Sequence, residues 1–469
     1  MGSVARIERR SVVPRLSPKF RDFAIVVLTC LLAGGAGRLV AQGRGEQLLM
    51  AAAGLAIAVA IFLWPSAALA VWVAALLANG RELTHFQVGP LYVTEVVLGL
   101  FAFAAIAHLT YSRRRLSGLK FSVVLIVLLW VPAFAGLALR TNSIDRVSAT
   151  NLAMIVASVF AFVAVVLGEA TDDRARLFKA VVLGSLLALV VVFTGYGGES
   201  GATSTGAIRI AHGSFVQPFG IAAIAIITVA RERLLRRRYL LLLPPFLTGL
   251  LLMNSRSAWV GFGLAVGLFL ATRPTVRPRL VLVSVVAALA ALFTLFNYGL
   301  ISVPGATLSI ERANSITDTN DPNTEYRLSF WSAVAKRSLT SPLIGGGFDA
   351  YPSEIVPRHT TFDEENPAPH NSFVALAYRV GAIPAALVFA LLISLIWRGF
   401  AISRRHIDPA MRATTSALAS VAVFLSVHVF FNVGLEVPYA AALFWLTFGL
   451  LAAAVYRSRG GVKTHPAQP

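Results

Sequence analysis

Arg209, Arg256 and Arg327, with His212 and His370, are the side chains in this sequence best suited to handling an anionic group and a proton. A guanidinium is planar, stays protonated and grips phosphate oxygens two at a time, so it can take up the charge of a departing phosphate without a metal. An imidazole titrates near neutrality and can accept a proton from a hydroxyl as its oxygen attacks. These residues fall at the ends of apolar segments or in the loops between them, where an ionisable group is costly and marks a functional candidate. Taken singly, each has a plainer reading. An outside arginine sits at headgroup level, and an isolated histidine caps a helix or fills a core. His428 has that structural reading, and His212 shares it in part. Arg379 lies deeper in an apolar stretch and has three readings, as a helix-end snorkeler, a lipid-headgroup contact or part of the site.

The missing motifs narrow the reaction. The sequence has no P-loop, no paired-aspartate motif for a nucleotide sugar and no His-Glu-x-x-His zinc pattern. Chemistry without metal or nucleotide needs a donor that is already activated, and at the outer face of a bacterial membrane that donor is a lipid diphosphate sugar. Neither a cofactor nor a metal is expected. Cys30 is the sole cysteine and lies in the first apolar run, so no internal disulfide is possible.

The elements that must position these residues are membrane helices. Of 469 residues 57% are apolar and 13% charged, and mean hydropathy is +0.74. Apolar runs of the roughly 20 residues that cross a bilayer recur along the chain. The expected fold is all-α, a polytopic bundle of about 12–14 transmembrane helices. Candidate spans lie near 23–40, 47–63, 66–79, 93–109, 120–139, 151–168, 177–195, 215–230, 239–253, 257–271, 280–298, 371–397, 411–431 and 438–456. Lys and Arg concentrate on one face, as in the N-terminal Arg6, Arg9 and Arg10, in Arg113–Arg115, in the run around Arg236–Arg238 and in Arg404 and Arg405. That face is cytoplasmic by the positive-inside rule. The net charge of +19 therefore reports topology and contact with anionic membrane lipids, and no nucleic-acid partner is expected.

The organisation that follows is a basic cytoplasmic N-terminus (1–22), N-terminal transmembrane helices (23–298), a large extracytoplasmic loop (299–370), C-terminal transmembrane helices (371–456) and a cytoplasmic tail (457–469). A loop of that length is usually functional or disordered. In this one Tyr326, Leu328, Phe330, Trp331 and Val334 recur at helical spacing and predict an amphipathic helix.

The segment His370-Asn371, nine residues, then Gly381 resembles the signature of the O-antigen ligase and O-antigen polymerase superfamily of membrane glycosyltransferases. Ile208-Arg209-Ile-Ala-His212-Gly-Ser-Phe-Val-Gln-Pro218, Asn254-Ser255-Arg256-Ser257-Ala258, Arg327 to Trp331 and Pro342-Leu-Ile-Gly345-Gly-Gly347 are similar to further stretches of that family. His428 to Pro438 resembles its C-terminal segment, while the N-terminal half matches in hydropathy alone. Pro384 and the number of spans depart from the ligase pattern and tilt toward polymerase.

The resemblance implies a multi-pass enzyme of the bacterial inner membrane with both termini cytoplasmic and an extracytoplasmic site. It would transfer, with inversion, an undecaprenyl-diphosphate-linked glycan to a hydroxyl on a glycan, lipid or protein acceptor. His370 would activate the acceptor, Arg209 and Arg327 would hold the diphosphate, and Arg256 would support the site. His212, Asn371 and Arg379 complete the expected substrate-binding set. A lipid-glycan flippase or other transporter is the alternative. Transporters, however, show internal repeats and charges near the midplane, whereas here the polar groups gather in outside loops.

Overall fold

The computed structural model describes residues 58–193, 216–272, 322–357 and 368–460, apart from residues 86, 89, 90, 113–115, 117, 141–145, 171–173, 233, 235, 236, 254 and 407. The described chain is an α-helical bundle. It runs α1 (Pro65–His85), α2 (Val93–Ser112), α3 (Leu119–Arg140), α4 (Arg146–Val156), α5 (Val159–Ala170), α6 (Arg174–Phe193), α7 (Val216–Arg231) and α8 (Leu243–Leu252). It continues with α9 (Arg256–Ala271), α10 (Pro322–Thr340), α11 (Ser372–Val380), α12 (Ala382–Arg405), α13 (Pro409–Phe430) and α14 (Pro438–Gly460). A two-residue antiparallel pairing of Gln87–Val88 with Leu91–Tyr92 joins α1 to α2.

Seven helical segments are long and apolar enough to cross a membrane, and four shorter apolar helices accompany them among the described residues. The expectation of an all-α polytopic membrane bundle is met. The spans expected near 23–40 and 280–298, and most of that near 47–63, lie outside the described residues.

Each helix satisfies its backbone hydrogen bonds internally, which is what lets such apolar runs cross hydrocarbon. What sorts them is burial. In α14 the membrane-crossing window is 83% buried and in α3 33%, so α14 is central and α3 peripheral. The outer face of α3 shows Val123, Val127, Val131 and Phe134, a stripe at helical spacing suited to lipid tails. Small residues let neighbouring helices approach closely. A Cβ on Gly449 would strike the backbone of Ala161, and one on Gly184 that of Ala74.

One expected span is divided. The apolar stretch 371–397 reads as continuous, yet it forms α11 and α12 on either side of Gly381. Gly381 has φ +96°, a conformation open to glycine. A Cβ there would lie 2.6 Å from the carbonyl oxygen of Pro342, and the Ile383 N–H donates to that same oxygen at 2.9 Å. The break is therefore where the Pro342–Gly347 loop packs onto the backbone. Pro384 falls in the first turn of α12, where a helix has no use for its missing N–H.

The amphipathic helix expected in the large loop is α10. It buries Tyr326, Phe330 and Val334, one turn apart, against Tyr351 and Tyr378, while Leu328 stays exposed.

Candidate functional site

The site forms where α10 meets the end of α13. Trp331 stacks edge-on against Phe430, 5.7 Å between ring centroids, and lies 6.3 Å from the Phe431 ring. Its indole N–H donates to the carbonyl of Pro369, the residue before His370. Arg327 lies one turn earlier on the same face of α10, and its Nη1 reaches the Phe431 carbonyl at 3.4 Å, the outer limit of a hydrogen bond.

His370 itself is held in an uncommon backbone conformation, φ +51°, and is half-buried. It is the described non-glycine residue with positive φ, a state that costs on the order of 1–3 kcal/mol and persists where the surroundings impose it. They do so from both sides. Pro369 is fastened to Trp331, and Asn371 caps α11, its Oδ1 accepting from the N–H groups of Phe373 and Val374 at 3.1 Å. Asn371 is buried, so the cap accounts for its oxygen.

Two residues beyond His370, Ser372 joins α11 to the turn between α13 and α14. Its Oγ lies 3.0 Å from the Asn432 carbonyl and 2.5 Å from Glu436 Oε2, and it accepts the Leu435 N–H at 3.0 Å. Arg327 and Ser372 thus meet adjacent residues, Phe431 and Asn432. Asn432 extends the connection to α9, its Nδ2 donating to Ser257 Oγ at 2.7 Å, with His428 Nδ1 3.3 Å from that same hydroxyl. Arg256 is the first residue of α9, immediately before Ser257.

Burial pushes the Glu436 carboxyl above the usual carboxylate range. The Ser372 hydroxyl, its own backbone N–H and the charges of Arg379 and His370 oppose that shift without overcoming it. Sequence reasoning passed over Glu436 and Asn432. The signal within reach was an isolated acid in an apolar third of the chain, between His428 and Pro438.

Arg379 is 1% exposed and sits behind this layer. Its Nη1 donates to the carbonyls of Gly347, at 3.0 Å, and Asp349, at 2.6 Å, and its guanidinium lies 4.4 Å from the Tyr351 ring centroid and 5.1 Å from that of Tyr378. Of the three roles read for it in the sequence, lipid contact and snorkeling do not fit this burial. It clamps the glycine loop instead. That loop is pressed between helices, with the Gly346 N–H donating to the Tyr378 carbonyl at 2.6 Å and a Cβ on Gly347 falling 2.9 Å from Arg140. Tyr351, packed in the same layer, has its phenol pushed up by burial, partly offset by Arg379.

The described residues therefore bring together Arg327, His370, Asn371 and the start of α9, with Arg379 one layer behind. Arg209 and His212 lie outside the described residues. No group of three or more His, Cys, Asp or Glu side chains that could hold a metal occurs among those described. A cavity of about 610 Å³ lies elsewhere. It is lined by Val73, Phe178, Ile221, Ala413 and Leu446 among others, beside the first half of α13 and away from the end that carries the site. Its lining is mostly apolar, with Arg174, Lys179 and Tyr239 among its polar members.

Fold and site define a multi-pass helical membrane protein whose polar residues converge at one end of the bundle, under a helix from its large loop. Residues 239–390, from the approach to α8 to the middle of α12, match the family model described as O-antigen ligase. The match contains Arg256, Arg327, His370, Asn371 and Arg379, and it ends before His428 and Glu436. No curated protein matches the chain.

Proposed function

We propose that the protein is an inverting membrane glycosyltransferase. It takes a glycan from an undecaprenyl-diphosphate carrier and joins it to an acceptor hydroxyl at the extracytoplasmic face of the bacterial inner membrane, using neither nucleotide nor metal. The acceptor oxygen attacks the anomeric carbon as the bond to the diphosphate oxygen breaks. The hydroxyl proton passes to the His370 imidazole, and the electron pair leaves with the lipid diphosphate, whose charge Arg327 and Arg209 take up. Arg256 supports the donor side, with His212 and Asn371 beside the substrate. Attack opposite to the leaving group inverts the anomeric centre.

The observation that carries this reading is the fastening of Trp331 to Pro369, which brings the helix bearing Arg327 onto the turn bearing His370. The Arg327 guanidinium and the hydroxyl of Ser372, two residues beyond His370, thereby meet the adjacent pair Phe431 and Asn432. Transport would call for charged groups near the middle of the spans, whereas Arg174, Arg231, Arg404 and Arg405 fall at helix ends.

Purified protein, supplied with a lipid-linked oligosaccharide and hydroxyl acceptors of each class in the presence of a chelator, is expected to form a glycosidic bond of inverted configuration. Lipid-linked acceptors supporting the reaction would mark a polymerase, and a lipid A core or protein acceptor a ligase. Movement of labelled donor across vesicles with no new bond would overturn the reading.

A further inference from the structure

The hydrogen-bond arithmetic at Ser372 fixes where one proton sits. A serine hydroxyl has one proton to give and two lone pairs to accept with. The Leu435 N–H takes one lone pair at 3.0 Å. The Asn432 carbonyl, 3.0 Å away, can only accept, so it takes the hydroxyl proton. Glu436 Oε2 lies closer still, at 2.5 Å, within reach of the same hydroxyl. Two acceptors cannot share that contact. A carboxylate there would either compete with Asn432 for the one proton or face a lone pair with no proton between. A carboxylic acid donates from Oε2 and leaves the hydroxyl proton to Asn432.

A second observation agrees with the count. Glu436 Oε1 is buried and has no hydrogen-bond partner among the described residues. A bare oxygen of a buried carboxylate is far costlier than that of a neutral acid, because an unpaired buried charge loses its hydration. Among the described residues, the charged and titratable groups within electrostatic reach are Arg379 and His370, with Tyr351 in the layer behind. Neither Arg379 nor His370 displaces the effect of burial on the carboxyl.

We infer that Glu436 is a proton-bearing positioning residue: as a neutral acid it donates to Ser372 and so pins the turn that carries His370 to the loop between α13 and α14. This rests on the glycosyltransferase reading for its functional meaning. In that setting the bond fixes where His370 is presented to the acceptor.

The test compares E436Q with E436A and reads the carboxyl directly. Glutamine is neutral, keeps a donor at the same reach, and is expected to hold transfer within about fivefold of wild type. E436A removes the donor and is expected to lose on the order of tenfold to a hundredfold. E436Q as inactive as E436A, with both folded, would overturn the proposal. Independently of any transfer assay, the infrared difference spectrum between wild type and E436Q at neutral pH should show a carboxylic-acid C=O band in the wild type. Loss of carboxylate bands instead would overturn it as well. If the wild type makes no glycosidic bond, the transferase reading fails alone, because the spectrum still reports the proton.

Discussion

The guanidinium of Arg379 donates to the carbonyl of Asp349 at 2.6 Å, so a cation on α11 secures the backbone that follows the glycine loop. That loop in turn underlies the break between α11 and α12. Replacing Arg379 by Ala leaves the Gly347 and Asp349 carbonyls without this donor and opens space between two tyrosine rings. Stability should fall on the order of 3 kcal/mol. Arg379→Lys should fall less, since a point charge lacks the planar fork. Thermal unfolding of the purified protein in detergent measures both, and an unchanged midpoint in Arg379→Ala would exclude the clamp.

His370 and Arg327 should separate kinetically. His370→Ala removes the base and should lower kcat on the order of a hundredfold to ten-thousandfold with donor binding largely intact. Arg327→Ala should weaken donor binding on the order of tenfold to a hundredfold, the value of a charge-assisted hydrogen bond to phosphate. Binding of labelled lipid-linked donor alongside single-turnover rates distinguishes them. Equal losses of binding in both variants would contradict the division of labour.

Two glycines should respond with opposite signs to the same substitution. Gly381→Ala forces a side chain into a φ of +96° and against Pro342, and should cost on the order of 1–3 kcal/mol. Gly263 lies inside α9, and a Cβ added there would meet nothing within 4 Å, so Gly263→Ala should gain up to about 1 kcal/mol from helix propensity. Unfolding midpoints of the pair check the contrast, which fails if both move in one direction.

The raised carboxyl of Glu436 makes stability depend on pH with a definite sign. Below the ordinary glutamate pKa of about 4.3 the group is protonated in both folded and unfolded chains and its full contribution is present. As pH rises through the raised folded value, the unfolded chain has already released its proton and the folded one gives it up at a cost, so stability is lost. Wild type minus E436Q, followed by unfolding midpoint across that range, should decline with pH. A flat difference would mean that the carboxyl is not perturbed.

The sequence made the helices legible because a bilayer demands long apolar runs, and the order of Arg256, Arg327, His370 and Gly381 along the chain pointed to the match over 239–390. The division at Gly381 was hidden, since hydropathy is blind to a backbone contact from a loop about forty residues earlier. The role of Arg379 was hidden for a related reason, as its partners are main-chain carbonyls that any residue could supply. Glu436 was invisible as a neighbour of His370 because Ser372 and Glu436 are 64 positions apart and meet only through the packing of α11 against the end of α13. Arg209 and His212, the other half of the expected donor cradle, lie outside the described residues.

The left-handed turn at His370 also bears on which replacements are informative. Alanine disfavours that conformation, so exchanging the imidazole for a methyl group alters the main chain as well as the chemistry. Asparagine tolerates the same turn and cannot accept a proton near neutrality. Of the two, His370→Asn isolates the loss of basicity, and in a library selected for folding alone asparagine and glycine should be enriched at this position.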